Sequence, residues 1–270
     1  MAGEDKGERF WALHQGPQPL LMPNPWDAGS ARLLAALGFQ ALATTSSGFA
    51  TTLGRLDGAV TRDEALAHAA VLAAAVDVPV SADLENCFAD DPDGVATTVR
   101  LATETGLAGC SVEDCEGPGG RIYDRGLAAE RVAAAVEAAR RAPGRFVLTA
   151  RAENHIRGNP DLADTIARLQ AYQEAGADVL FAPGVVDPGD LRRLVAEVDR
   201  PVNVLALAGA PPVAELAAIG VRRVSVGGAF AFTAAGAVVE AARELLDQGT
   251  YGYWDRAKAG SASVREALSS

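Results

Sequence analysis

The sequence is poor in several features, and each shortage excludes a class of protein. Its three cysteines, Cys87, Cys110 and Cys115, form no C-x-x-C pair. An odd, scattered set is neither a disulfide framework nor a zinc site, and points to reduced thiols. There is no cluster of Lys or Arg, and the formal charge of the 270 residues is −11. A nucleic acid or an anionic membrane surface would therefore be repelled. The first residues lack the basic-then-apolar layout of a secretory leader, and the stretch 225–239 is too short and too broken by glycine and threonine to span a bilayer. We expect a cytoplasmic protein that binds neither nucleic acid nor membrane. An anionic ligand would have to be met by a few locally placed cations. No G-x-G-x-x-G follows the first candidate strand, which argues against a dinucleotide-binding sheet.

What the sequence does have is a recurring unit: a capped helix, a glycine, a short apolar strand, then a loop of small and polar residues. It recurs at Gly38 before FQALATT, Gly106 before LAGCSVED, Gly176 before ADVLFAPG and Gly220 before VRRVSVGG. Each glycine stands where a helix needs a left-handed residue before the chain turns back. Helix starts are marked by a capping box, Thr61 with Glu64, and by Asp91-Pro92, Asn159-Pro160 and Asp187-Pro188. Four further apolar runs, at 20–24, 78–83, 145–151 and 201–206, bring the strand count to eight. Near-continuous apolar strands alternating with Ala/Leu-rich helices indicate an α/β protein with an all-parallel sheet. Eight such units predict a (β/α)8 TIM barrel, in one domain over 1–270. The polar residues 250–270 fall outside the eight units and form a C-terminal helical extension that packs on a neighbouring subunit or frays.

In such a barrel the chemistry sits where strands end. The second strand ends in Thr45-Ser46-Ser47-Gly48, the third in Asp83-Leu84-Glu85, the fourth in Glu113-Asp114 and the fifth in Arg151-Ala152-Glu153-Asn154. Asp83, Glu85 and Glu113 at one mouth would repel one another unless a cation or shared protons intervened. Oxygen ligands without His or Cys favour Mg²⁺ or Mn²⁺. Helix capping, or pairing with rim arginines, is the alternative use of the same acids. Arg151 could grip a carboxylate or pair with Glu113 or Glu153. The turn at Ser46, Ser47 and Gly48 offers backbone N–H groups to a ligand, Asp57 lies on the following loop, and Asn203 of the seventh strand is placed in the substrate pocket. His155 is the one histidine near a strand end. The loop GPGGRIYD after the fourth strand has the composition of a lid, with Arg121 and Tyr123 as its contacts.

From Pro23 to about Leu246 the chain resembles the isocitrate lyase and phosphoenolpyruvate mutase superfamily. The resemblance is carried by NPWDAGSARLLAALGF, TTSSGF followed by LGRLD, VSADLEN, SVEDC, VLTARAEN and AGADVLFAPG. It implies that Asp83 contacts Mg²⁺, with Glu85 and Glu113 holding it mainly through water. It also implies that Ser47 and Gly48 bind the carboxylate of a 2-oxo acid, that Arg151 assists at the reacting end and that Asp57 lies near the metal shell. Relatives of this kind are commonly tetramers that exchange their last helix. The chain departs from the lyases in lacking their K-[KR]-C-G-H loop, reading DCEGPGGRIYD instead. It has Pro183 at or beside the position of a Glu that would surround a second substrate carboxylate, and Glu85 where many relatives have Asp. These departures argue against an isocitrate lyase proper. They leave, as the expected function, a Mg²⁺-dependent lyase or decarboxylase that cuts a C–C bond in a small 2-oxo or 2-hydroxy carboxylate through a metal-stabilised enolate. Phosphonopyruvate-type P–C chemistry and a 2-oxo acid binding protein with little turnover are the alternatives.

Overall fold

The computed structural model describes residues 5–117 and 119–269. Eight parallel strands form the sheet: β1 (Leu20–Met22), β2 (Leu42–Ala43), β3 (Val80–Asp83), β4 (Gly109–Glu113), β5 (Val147–Arg151), β6 (Val179–Phe181), β7 (Val202–Leu205) and β8 (Arg223–Ser225). β1 pairs with β8, which continues through β7 in sequence order back to β2. The remaining joint, between β1 and β2, is closed by the Ala43 N–H donating to the Pro23 carbonyl at 3.1 Å. Asn24 stitches the same joint. Its Nδ2 donates to the Thr44 carbonyl at 2.8 Å, and its Oδ1 accepts from the backbone of Val226 and Gly227 at 3.0 and 2.9 Å. The result is the predicted (β/α)8 barrel.

The helices are α1 (Lys6–His14), α2 (Ala28–Ala36), α3 (Ser46–Thr52), α4 (Arg62–Ala75), α5 (Pro92–Thr103), α6 (Arg125–Arg140), α7 (Leu162–Glu174), α8 (Pro188–Ala196), α9 (Val213–Ile219), α10 (Ala229–Gln248) and α11 (Trp254–Ser269). Thr61, Asp91 and Asp187 cap α4, α5 and α8 as expected. At α7 the cap is Asp161, not Asn159: its carboxylate takes the N–H groups of Ala163 and Asp164, so the helix begins beyond Pro160. Gly38, Gly106, Gly176 and Gly220 all adopt the left-handed conformation, with φ between 82° and 103°.

Two apolar layers hold the barrel. Leu42, Val80, Cys110, Leu148, Leu180 and Val204 point outward into one large core with the helices. Leu20, Met22, Ala43, Val147 and Val179 point inward and surround Phe10 of α1, which is fully buried and plugs the N-terminal end of the barrel. A plug of this kind dries one end, so polar side chains are affordable only towards the other.

Residues 254–269 form α11, the expected C-terminal helical extension, which packs on α2 and buries Ala267. α10 buries none of its 20 residues and exposes Phe230, Phe232, Val238, Val239, Leu245 and Leu246. No helix among the described residues is long and apolar enough to cross a membrane.

Candidate functional site

The C-terminal ends of the strands open into a cavity of ≈ 160 Å³. Of the expected site residues, Ser46, Ser47, Asp57, Asp83, Arg151 and Asn203 line it. Period-two alternation explains why: in β3 and β5 the same inward face carries Ser81 then Asp83, and Thr149 then Arg151. Strand register sets Glu113 of β4 beside Arg151 of β5.

Arg151 is the hub. Its Nη1 lies 2.9 Å from Asp83 Oδ1, and its Nη2 lies 3.0 Å from Glu113 Oε2 and 2.8 Å from Glu153 Oε1. The ion pairs with Glu113 and Glu153 are thus formed, and the guanidinium also forms part of the cavity wall. Asp83 is aimed by Ser46, whose backbone N–H and Oγ donate to Asp83 Oδ2 at 3.2 and 3.1 Å. Ser46 is also close enough to Asp57 to lower its proton affinity, but its single O–H serves one of the two acids at a time.

The acids outnumber the cations, and their proton affinities respond. Burial, then Asp83 and Asp57, push Glu85 up to about 7. Burial raises Glu113 to about 8; Arg151 pulls the other way, and Glu153 and Asp83 add to the rise. Burial lifts Asp57 above the usual carboxylate range, with Asp83 adding to it against the hydrogen bond from Ser46. The desolvation and like-charge repulsion responsible are those expected of a functional cluster.

Glu85 stands on strained backbone. It has φ 51°, and Cys87 and Phe88 follow with φ 59° and 56°, a region that non-glycine residues enter at a cost of about 1 kcal/mol or more each. Arg131 of α6, 1% exposed, offsets that cost by donating to the carbonyls of Asn86, Ala89 and Asp90. Tyr123 stacks under the same guanidinium, 4.2 Å from ring centroid to Cζ, and donates to Asp90.

Other expectations land elsewhere. Glu85 and Glu113 stand behind the cavity wall rather than in it, Glu113 turned onto Arg151. Gly48 lies within α3 and does not line the cavity; its N–H is taken by Thr45 Oγ1 at 3.3 Å, and a Cβ there would sit 2.6 Å from Thr45 Cγ2. The loop after β4 is a small hairpin bridged at Cys115 and Ile122. Its Arg121 points outward to Glu116 and Tyr123 is buried, so neither is a cavity contact; Pro118 of the same loop lies outside the described residues. His155 does not line the cavity. All three cysteines are buried and free, and burial pushes Cys87 up to about 12.

Sequence reasoning missed Asn24, Arg223 and Ser225, which also line the cavity. Arg223 gave no signal because its partners, Thr149 and His14, are 74 and 209 positions away. Asn24, in the matched stretch NPWDAGS, stood next to a visible strand and could have been found.

Comparison with known proteins agrees with this geometry. A candidate lyase/mutase from Burkholderia cenocepacia J2315 superposes with TM-score 0.89 at 52% identity, covering 92% of this chain and 90% of that one. An uncharacterized protein of Mycobacterium tuberculosis is 36% identical over 88% of this chain and 89% of its own length. The structure of oxaloacetate acetylhydrolase in complex with oxalate superposes with TM-score 0.84 at 26% identity, over 92% of this chain and 89% of that one. The phosphoenolpyruvate phosphomutase family model matches residues 10–246. A barrel with acids gathered around one arginine at its mouth, matched along nearly its whole length in this way, belongs to the phosphoenolpyruvate phosphomutase family, within a superfamily of lyases and mutases.

Proposed function

We propose that the protein is a Mg²⁺-dependent lyase that breaks a carbon–carbon bond beside the carbonyl of a small 2-oxo or 2-hydroxy carboxylate, by cleavage or decarboxylation. The observation that carries this reading is the excess of buried acid at the mouth: Asp57, Glu85 and Glu113 are all raised, and one arginine serves Asp83, Glu113 and Glu153. A hard divalent cation relieves that repulsion, and oxygen donors without His or Cys suit Mg²⁺ or Mn²⁺. No three His, Cys, Asp or Glu side chains among the described residues are gathered closely enough to hold an ion by themselves. That fits an ion taking Asp83 directly and reaching Glu85 and Glu113 through water, since Mg²⁺ keeps several of its waters. When bound, the ion supplies Lewis-acid polarisation of the 2-oxo group.

The chain's own residues do the rest. Ser46 fixes the direction of Asp83. Ser47, at the start of α3, lines the cavity on the side where a ligand carboxylate would meet backbone N–H groups. Arg151 provides a fixed positive charge in the wall, where the carbonyl oxygen gains charge as the electron pair of the broken bond moves towards it. Asp57, in the wall with a raised proton affinity, is placed to carry the proton that the freed carbon takes up. Oxaloacetate acetylhydrolase, which holds oxalate in its structure, supports a 2-oxo diacid as substrate class. The match to the phosphomutase family model favours phosphonopyruvate-type P–C chemistry as the second reading. We expect Mg²⁺-dependent release of pyruvate from oxaloacetate above the spontaneous rate, falling about hundredfold or more in Asp83→Ala. Equal rates in the two proteins would remove this site from the reaction.

A second copy of the chain is the partner that the exposed apolar residues of α10 call for. Leu21 of β1 and Leu37 beside α2 are exposed in the same way on the barrel wall, and a neighbour's helix laid there would cover both surfaces in a homo-oligomer. Sedimentation should show a tetramer that Leu246→Glu, at an 83% exposed position, shifts towards smaller species.

A further inference from the structure

Arg223 opens β8, and its side chain runs across the inside of the barrel. Nε donates to Asn203 Oδ1 at 3.0 Å and Nη1 to Thr149 Oγ1 at 3.0 Å. Nη1 also lies 3.4 Å from His14 Nε2. The ring of His14 is fixed by its Nδ1, 2.8 Å from the Phe10 carbonyl. A carbonyl only accepts, so Nδ1 holds the hydrogen and Nε2 turns a lone pair towards Arg223. Every protein group bonded to this guanidinium is neutral.

Two other buried arginines, Arg151 and Arg168, are paired with acids, whereas Arg131 shares with Arg223 its neutral partners but not its place in the cavity wall. Arg151 has three carboxylates, Arg168 pairs with Asp114 and Asp164, and Arg131 has three backbone carbonyls. Arg223 is 3% exposed and has no carboxylate partner among the described residues. The charged group that acts on it is Arg151, a like charge, which adds to burial in pulling it down to about 9. It remains a cation at neutral pH. An ionised group buried without a counter-charge is strongly disfavoured unless something supplies one.

The site has two donors to spare. Arg223 Nη2 has no hydrogen-bond acceptor among the described residues, and Arg223 lines the cavity. Ser225 Oγ accepts from Asn203 Nδ2 at 2.9 Å, which leaves its own O–H to donate, and Ser225 lines the cavity too. Around them the inward positions are Ser81 and Ser111, where barrel interiors usually carry bulky branched side chains. The cavity is thus anionic at its mouth, cationic and hydroxylic at its floor.

We propose that Arg223 and Ser225, braced by Asn203, form an anion subsite in the floor of the cavity that takes the second carboxylate of a dicarboxylic ligand. This rests on the reading of the mouth as the place where the 2-oxo end is held. The ≈ 160 Å³ cavity favours a small acid.

The test is calorimetric titration at saturating Mg²⁺ with two four-carbon probes: 2-oxobutyrate, with one carboxylate, and 3,3-difluorooxaloacetate, with two. Wild type should bind the diacid at least about tenfold more tightly, as expected for a charge-assisted hydrogen bond out of water. Arg223→Met should bring the two within about twofold of each other while leaving 2-oxobutyrate unchanged. Ser225→Ala, which keeps the buried cation and its bonds to Asn203 Oδ1 and Thr149 Oγ1, should lose part of the preference and decides the matter if Arg223→Met does not fold. Equal affinity for both probes in wild type, or parallel weakening of both in the variants, overturns the subsite alone. Failure of wild type to bind either probe overturns the reading of the mouth as well.

Discussion

The two ends of this barrel are built from the same eight strands and differ in almost everything else. At the N-terminal end α1 drives Phe10 among Leu20, Val147 and Val179, and the space is dry and filled. At the C-terminal end the same strands finish in Asp83, Glu113 and Arg151 around an open cavity. The change runs along a single short strand: Val147, Thr149 and Arg151 of β5 pass from apolar through hydroxylic to charged. A closed sheet tolerates this gradient because its backbone bonds are satisfied by neighbouring strands at every level, leaving side chains free to set the local polarity.

Removing the cation from the mouth should have the largest effect. Arg151→Met leaves Asp83, Glu113 and Glu153 facing one another, and we expect a loss of about 5 kcal/mol in urea unfolding at pH 8. In that variant stability should recover as pH falls, because the acids take up protons that the unfolded chain binds less readily. A pH-independent loss would mean that packing, not charge, was removed. At the other end Phe10→Ala should cost about 3–4 kcal/mol while leaving ligand affinity per folded molecule intact. A matching fall in affinity would show that the two ends are coupled.

The smallest effect at neutral pH concerns His14, which joins the ends. Burial, then Arg223, drives its proton affinity down to about 3. The folded value lies below the ordinary 6.5, so the unfolded chain binds a proton that the folded chain refuses. Stability from this group is complete above about pH 6.5 and declines as pH falls towards 3, by at most about 1.4 kcal/mol per pH unit. His14→Gln should flatten the melting temperature over that window relative to wild type, and an unchanged slope would assign the acid sensitivity to other groups.

What could be read from the residues alone followed local rules. The left-handed glycines, the caps at Thr61, Asp91 and Asp187, and the placing of Asp83 and Arg151 at strand ends depend on neighbours within a few positions or on period-two alternation. The start of α7 went astray because Asn159-Pro160 and Asp161 both offer capping chemistry, and only the tertiary fold selects Asp161. The lid contacts went astray because Tyr123 is drawn into the core by Arg131 and Asp90, whose separation in sequence hides them. The C-terminal helical extension was legible as a segment outside the eight units, but its packing on α2 was not, because that partner lies near the other end of the chain. Gly48 looked like an open donor, but its N–H was already committed to Thr45.

Seven of the eight strand joints are ladders, whereas the eighth, between β1 and β2, relies on one main-chain bond and the amide of Asn24. Like a cask held shut by a latch at one stave, the cylinder parts there with the fewest bonds broken. Because Asn24 also grips the backbone of Val226 and Gly227, loosening it frees both the rim beside Thr44 and the segment that launches α10. A single side chain thus ties the rim of the cavity to the start of the outer helix.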